Sequence, residues 1–61
     1  MTAKEGEVLA AIRKLCAASV NGHATHEQLM ALVQGDYDDA FASLVNRRLV
    51  VAETLEIFKL A

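Results

Sequence analysis

Leu49-Val50-Val51-Ala52-Glu53-Thr54-Leu55-Glu56-Ile57-Phe58-Lys59-Leu60 has the chemistry of β-strands, and it follows directly on a stretch with helical spacing. From Thr25 to Arg48 apolar residues recur at the period of an α-helix, broken once at Gln34-Gly35-Asp36. After Arg48 the period changes. Leu49 to Ala52 is apolar and β-branched, and too short to be a further helix. Glu53-Thr54 fits a tight turn. Beyond it the chain alternates, with Glu56, Phe58 and Leu60 on one face and Leu55, Ile57 and Lys59 on the other. An isolated hairpin is marginal in water, so its inner face must pack on the helices. That face is expected to comprise Phe58, Leu60 and one of Leu49 or Val51. The expected fold class is mainly α with a small β-hairpin: three helices followed by a two-stranded antiparallel wing.

The helices are marked by their ends. Thr2-Ala3-Lys4-Glu5 is a capping box, in which the threonine hydroxyl and the glutamate carboxylate each satisfy an orphan backbone amide. Val8, Ile12, Leu15, Cys16 and Ser19 then form one largely apolar stripe, with Lys4, Glu7, Arg13 and Lys14 mostly away from it. Val20-Asn21-Gly22 should end this helix near Ser19. Thr25-His26-Glu27-Gln28 repeats the capping signal and opens a short second helix that buries Leu29, Leu32 and Val33. Asp36 is expected to cap the third, with Asp39 at the third helical position. Its buried stripe would be Tyr37, Ala40, Phe41, Leu44 and Val45, with Asp38, Asp39, Ala42, Ser43 and Asn46 facing out.

Sixty-one residues allow one domain, 1–61, and one small core. A chain of this size buries only about 60% of the surface its unfolded form exposes. A hydrophobic content of 54% is high for so small a unit, so part of the apolar surface is expected to be covered by a partner or a second copy, and a homodimer is expected. The net charge of −2 and pI near 5.5 lack the electrostatic footprint of an autonomous nucleic-acid binder. One cysteine cannot form an internal bridge, and the N-terminus lacks the basic and apolar regions of a signal peptide. No apolar run approaches the ~18 residues of a membrane span. A cytoplasmic chain without membrane contact is expected, and Met1 with a strand ending at Leu60 suggests a complete unit.

Over nearly its whole length this pattern resembles the winged helix-turn-helix superfamily. The resemblance is carried by a first helix through Ser19, by Ala24-Thr25-His26-Glu27-Gln28-Leu29-Met30-Ala31-Leu32-Val33, by Tyr37 through Val50, and by Ile57-Phe58-Lys59-Leu60 as the return strand. Where family members often place Gly after the helix, Arg48 stands before Leu49-Val50. Many members bind DNA through the helix equivalent to residues 37–48, with a basic wing at the adjacent groove. Others are protein-interaction domains, so the fold alone does not decide.

The charges speak against the usual docking mode. A reading helix should open with Arg, Lys, Asn, Gln, Ser or Thr, and this one opens with Asp36, Asp38 and Asp39. The wing tip is Glu53-Thr54 with Glu56 beside it. What could still meet double-stranded DNA is Thr25, His26 and Gln28 at the start of the second helix, Ser43, Asn46 and Arg47 along the third, and Lys59 on the return strand. Arg47 and Arg48 also suit a helix C-terminus as cations opposite its dipole. A protein-interaction surface would use Asp38 and Asp39 with Leu55 and Ile57. Val50 and Ala52 would extend that apolar strip unless strand register turns them inward.

Other chemistry is poorly supported. Cys16, His23 and His26 are zinc-ligand types, but their spacing matches no common zinc pattern and a fourth ligand is missing. The aspartates lack the ligand spacing of a calcium loop, no glycine-rich phosphate cradle exists, and Cys16 lies on a buried stripe. No cofactor, metal or enzymatic activity is expected. Two readings remain: a DNA-binding or transcription-regulating module of weak autonomous affinity, and a protein-interaction adaptor that uses the same fold without DNA contact.

Overall fold

A computed structural model describes residues 1–61. Three helices and three strands follow in the order α1 (Ala3–Ala18), β1 (His23–Thr25), α2 (His26–Leu32), α3 (Asp38–Asn46), β2 (Val50–Ala52) and β3 (Ile57–Leu60). Both capping boxes form. The Thr2 hydroxyl accepts from the Glu5 amide at 3.1 Å while the Glu5 carboxylate accepts from the Thr2 amide at 2.9 Å. Thr25 and Gln28 repeat the exchange at 3.2 and 3.0 Å. Helix α1 closes at Ser19, where the period predicts its end.

The third helix starts differently from the expectation. Its N-cap is Tyr37, which makes no side-chain cap, and Asp36 lies one residue further out, accepting from the Asp38 amide at 2.9 Å. Gly35, at φ +78°, turns the chain there, in a region that glycine enters without steric cost. Leu32 is also corrected: it is 45% exposed, and Val33, held as the C-cap, supplies the apolar contact at that end of α2.

The sheet has three antiparallel strands rather than two. Strand β3 is central, in the order β1-β3-β2. His23, Ala24 and Thr25 pair with Lys59, Phe58 and Ile57, and Val50, Val51 and Ala52 pair with Leu60, Lys59 and Phe58. Cross-strand partners share a face, so Ala24, Phe58, Ala52, Val50 and Leu60 turn towards the helices. Val50 therefore belongs to the core and Val51 to the outer face, while Leu49, the other residue expected on the inner face with Phe58 and Leu60, packs partly against the core. Phe58 is fully buried, with Ile12, Leu29, Leu44, Val8 and Val50, and flanking alanines on both neighbouring strands leave room for its ring.

The joint between α3 and β2 is a left-handed cap. Arg48 has φ +62°, its amide bonds to the Val45 carbonyl at 3.0 Å, and the Leu49 amide bonds to the Leu44 carbonyl at 3.0 Å. These paired bonds are a Schellman motif, which satisfies two terminal carbonyls and swings the chain into β2. A residue with a Cβ is strained in this conformation by roughly 1–2 kcal/mol. Arg48→Gly relieves that strain at some cost in unfolded-state entropy, and should raise stability by about 0.5–1 kcal/mol. Arg48→Val should lower it by about 1–2 kcal/mol. Urea denaturation of both variants measures the order, and the opposite ranking would contradict the left-handed cap.

Candidate interaction surface

Several polar side chains of this small domain face one another in two networks. Glu5, only 5% exposed, lies between α1 and α3. Besides the Thr2 amide, its carboxylate accepts a hydrogen bond from the Ser43 hydroxyl, and the Arg47 Nε stands 3.8 Å away. Ser43 and Arg47 were expected to face a partner, and the structure turns both towards Glu5. The Ser43 hydroxyl, the Thr2 amide and Arg47 favour the ionised form, which brings the Glu5 carboxyl down from 4.5 to about 2.

A second network crosses the outer face of the sheet. The Glu53 carboxylate lies 3.0 Å from Lys59 Nζ and 3.6 Å from His23 Nε2. Lys59, by hydrogen bond and by charge, holds the Glu53 carboxyl below its ordinary range, with His23 adding to it. The other imidazole nitrogen of His23, Nδ1, is buried without a partner. Lys59 is thus a half-exposed cation already matched to an anion on its own hairpin.

His26 is an aromatic packing residue. Its ring stacks at 6.0 Å on Tyr37 and meets Phe41 and Phe58 edge-on at 4.7 and 5.0 Å. Its Nδ1 is 3.1 Å from the Tyr37 hydroxyl, whose pKa is raised by burial and by the nearby Asp38 charge. Thr25 and Gln28 exchange hydrogen bonds within the α2 cap. Among the residues expected to meet DNA, Asn46 alone is exposed with its side chain in neither a hydrogen bond nor an ion pair.

The residues expected to meet a protein are freer. Asp38 and Asp39 are exposed at the start of α3, and neither forms an ion pair. The β2–β3 loop is longer than the expected two-residue turn. Glu53 and Thr54 amides both bond to the Ile57 carbonyl, the Thr54 hydroxyl accepts from the Glu56 and Ile57 amides, and Leu55 stands 97% exposed. Ile57 is 37% exposed beside Val51 at 38%. The apolar strip consists of Leu55, Ile57 and Val51, without Val50.

The sheet edges are guarded. The His26 amide bonds to the Glu56 carbonyl, so alternation directs the His23 and Thr25 amides away from β3. Both find side chains instead: the His23 amide donates to Asn21 Oδ1 at 3.1 Å and the Thr25 amide to Gln28 Oε1 at 3.0 Å. On the far edge the outward-directed residues are Val50 and Ala52, and Val50 is 1% exposed. Strand addition therefore finds open backbone on the β2 edge only towards Ala52, which is exposed.

No group of three or more His, Cys, Asp or Glu side chains is placed to hold a metal ion, and Cys16 is a buried free thiol. No helix is long and apolar enough to cross a membrane. Comparison with protein-family models, with curated proteins and with solved structures gives no match to this chain.

Sequence reading missed the second role of Glu5. Its signal was a capping glutamate one helical turn before Val8 and Leu9, on the face that α3 covers. A depressed carboxyl pKa contributes stability above the unfolded value and loses it as pH falls through the folded one. Glu5→Gln should therefore melt below the parent at pH 7, and the gap should close as pH drops from 4.5 towards 2. Thermal melts of both proteins across that range give the difference directly. A gap unchanged at pH 2 would mean that ionised Glu5 does not brace α1 against α3.

Proposed function

We propose that this chain is a winged-helix module that works by protein–protein contact, as an adaptor or dimerisation unit without DNA contact. The element order, with a left-handed joint between α3 and the β2–β3 wing, supports the winged-helix part of this reading. The interaction part rests on one observation: of the residues expected to meet DNA, all but Asn46 already have partners within the chain. Arg47 faces Glu5 and Lys59 faces Glu53, while Ser43, Thr25, Gln28 and His26 hydrogen-bond inside the domain. Engaging DNA would compete with these internal contacts, at the greatest cost for Ser43 on buried Glu5 and for the Thr25–Gln28 cap.

Two exposed features suit this reading, the anionic start of α3 at Asp36, Asp38 and Asp39 and the apolar hairpin residues Leu55, Ile57 and Val51. Their fitting counterpart is a protein surface with basic and apolar side chains, recognised through side chains because the sheet edges are guarded except at Ala52. Rim charges of this kind steer the encounter, and the apolar anchors carry the affinity.

A DNA-binding, transcription-regulating role is the second reading. It is favoured by Arg13, Lys14 and Arg48, exposed cations without an ion-pair partner. Fluorescence titration on random duplex DNA at low salt separates the two. Under the interaction reading no binding develops up to roughly 20–50 µM protein, on the order of the non-specific range. Asp38→Lys with Asp39→Lys should then create weak, salt-sensitive binding. Affinity of the parent chain in that range, falling as salt rises, would overturn the interaction reading in favour of DNA.

A further inference from the structure

The second reading's cation Arg13 also belongs to a different feature, a hollow where α1, the turn after it and the end of β3 meet. This cavity of about 380 Å³ is lined by Arg13, Cys16, Ala17, Asn21, Gly22, Lys59 and Leu60. A volume above about 300 Å³ is within the range of small-ligand sites.

Its chemistry is one-sided. Both charged lining residues are cations and no carboxylate lines it. Arg13 has no ion-pair partner, while Lys59 has its partner, Glu53, outside the lining. Asn21 Oδ1 already accepts from the Ser19 hydroxyl at 2.8 Å and the His23 amide at 3.1 Å, so the end of this side chain left for a ligand is the donating Nδ2. The Gly22 N–H donates to no acceptor in the chain. Gly22 itself, at φ +75°, is held in the left-handed conformation that turns α1 into β1. Cys16, Ala17 and Leu60 supply apolar surface.

Spare donors and a free guanidinium beside apolar side chains define a complementary ligand. We propose that this cavity binds a carboxylate carried on a small apolar body, with Arg13 as the principal cation, Asn21 Nδ2 and the Gly22 N–H as donors, and Leu60 and Ala17 against the apolar part. Arginine's planar fork suits a carboxylate in two-point contact. Such a group comes either from the C-terminal residue of a peptide or from a free short-chain acid. The site does not depend on how α3 is used.

Amide-resolved NMR titration of the full chain tests this. N-acetyl-leucine stands for a peptide C-terminus, isovalerate for a free acid, N-acetyl-leucinamide for the same body without charge, and inorganic phosphate for an anion without an apolar part. N-acetyl-leucine or isovalerate should shift the Gly22 and Asn21 signals saturably, with a Kd on the order of 1 mM for so small a ligand. The tighter of the two assigns the source. Arg13 is exposed, so Arg13→Gln should leave the spectrum folded while weakening binding by about fivefold or more, the loss of one charge-assisted contact. Three results would overturn the proposal: no saturable shift up to roughly 20 mM ligand, equal binding of the uncharged amide, or phosphate binding as tightly as the carboxylates.

Discussion

Phe58 is the residue on which this domain depends. It lies fully buried on the middle strand of a sheet whose outer strands have only three residues each. Strands this short cannot persist without packing. Alanine stands opposite Phe58 on both sides, Ala24 on β1 and Ala52 on β2. The small partners let the ring reach His26 and Phe41, whose centroids lie 5.0 and 5.1 Å away. One side chain thus fastens the sheet to both α2 and α3. Edge-to-face aromatic pairs add roughly 0.5–1.5 kcal/mol each beyond burial, a sizeable share for a core of this size. His26 joins the cluster through its ring, and for that reason its imidazole is not displayed to a partner.

Charge is arranged around this core with the same economy. Glu5 braces α1 against α3 by drawing in Ser43 and Arg47, and Glu53 ties together β1, the wing loop and β3 through His23 and Lys59. The two cases differ in weight. Glu5 is almost wholly buried, so its hydrogen bonds replace water that it has lost, and removing them would strand a charge. Glu53 and Lys59 remain partly in solvent, where an ion pair contributes little to stability. Both nevertheless act in the same direction, lowering the free positive charge of the α3 and hairpin surfaces.

Much of the architecture was legible in the sequence because it is decided locally. Thr2 with Glu5, and Thr25 with Gln28, need only their own turn of helix to form their caps. The change of period at Leu49 likewise marks a real change of element. What escaped depends on residues distant in the chain. His23-Ala24-Thr25 has no strand signal of its own and becomes β1 only because β3 lies beside it. Val50 and Val51 are equally β-branched, and pairing with β3 decides which of them enters the core. Ser43 and Asn46 occupy neighbouring turns of one helix, yet only Ser43 meets Glu5, thirty-eight positions away. The candidate surface was correspondingly half legible: Asp38, Asp39, Leu55 and Ile57 could be placed outside by pattern, whereas the internal partners of the DNA candidates could not.

The guarded sheet edges bear on how such a module can meet anything at all. A three-stranded sheet has two edges, and each exposed backbone edge invites a foreign strand. Here Asn21 and Gln28 occupy the β1 donors, and each also serves its own neighbourhood, since Asn21 shapes the turn after α1 and Gln28 completes the α2 cap. Val50, the buried residue of β2, closes much of the other edge. Main-chain pairing is thereby hindered along β1 and at Val50, and the β2 edge stays open only at exposed Ala52. At the tip of the β2–β3 loop Leu55 projects, held out by a loop whose own amides are satisfied by Thr54 and the Ile57 carbonyl. A loop whose amides are satisfied from within loses little further entropy on burying its leucine, which is the physical ground for reading Leu55 as an anchor in the proposed protein contact.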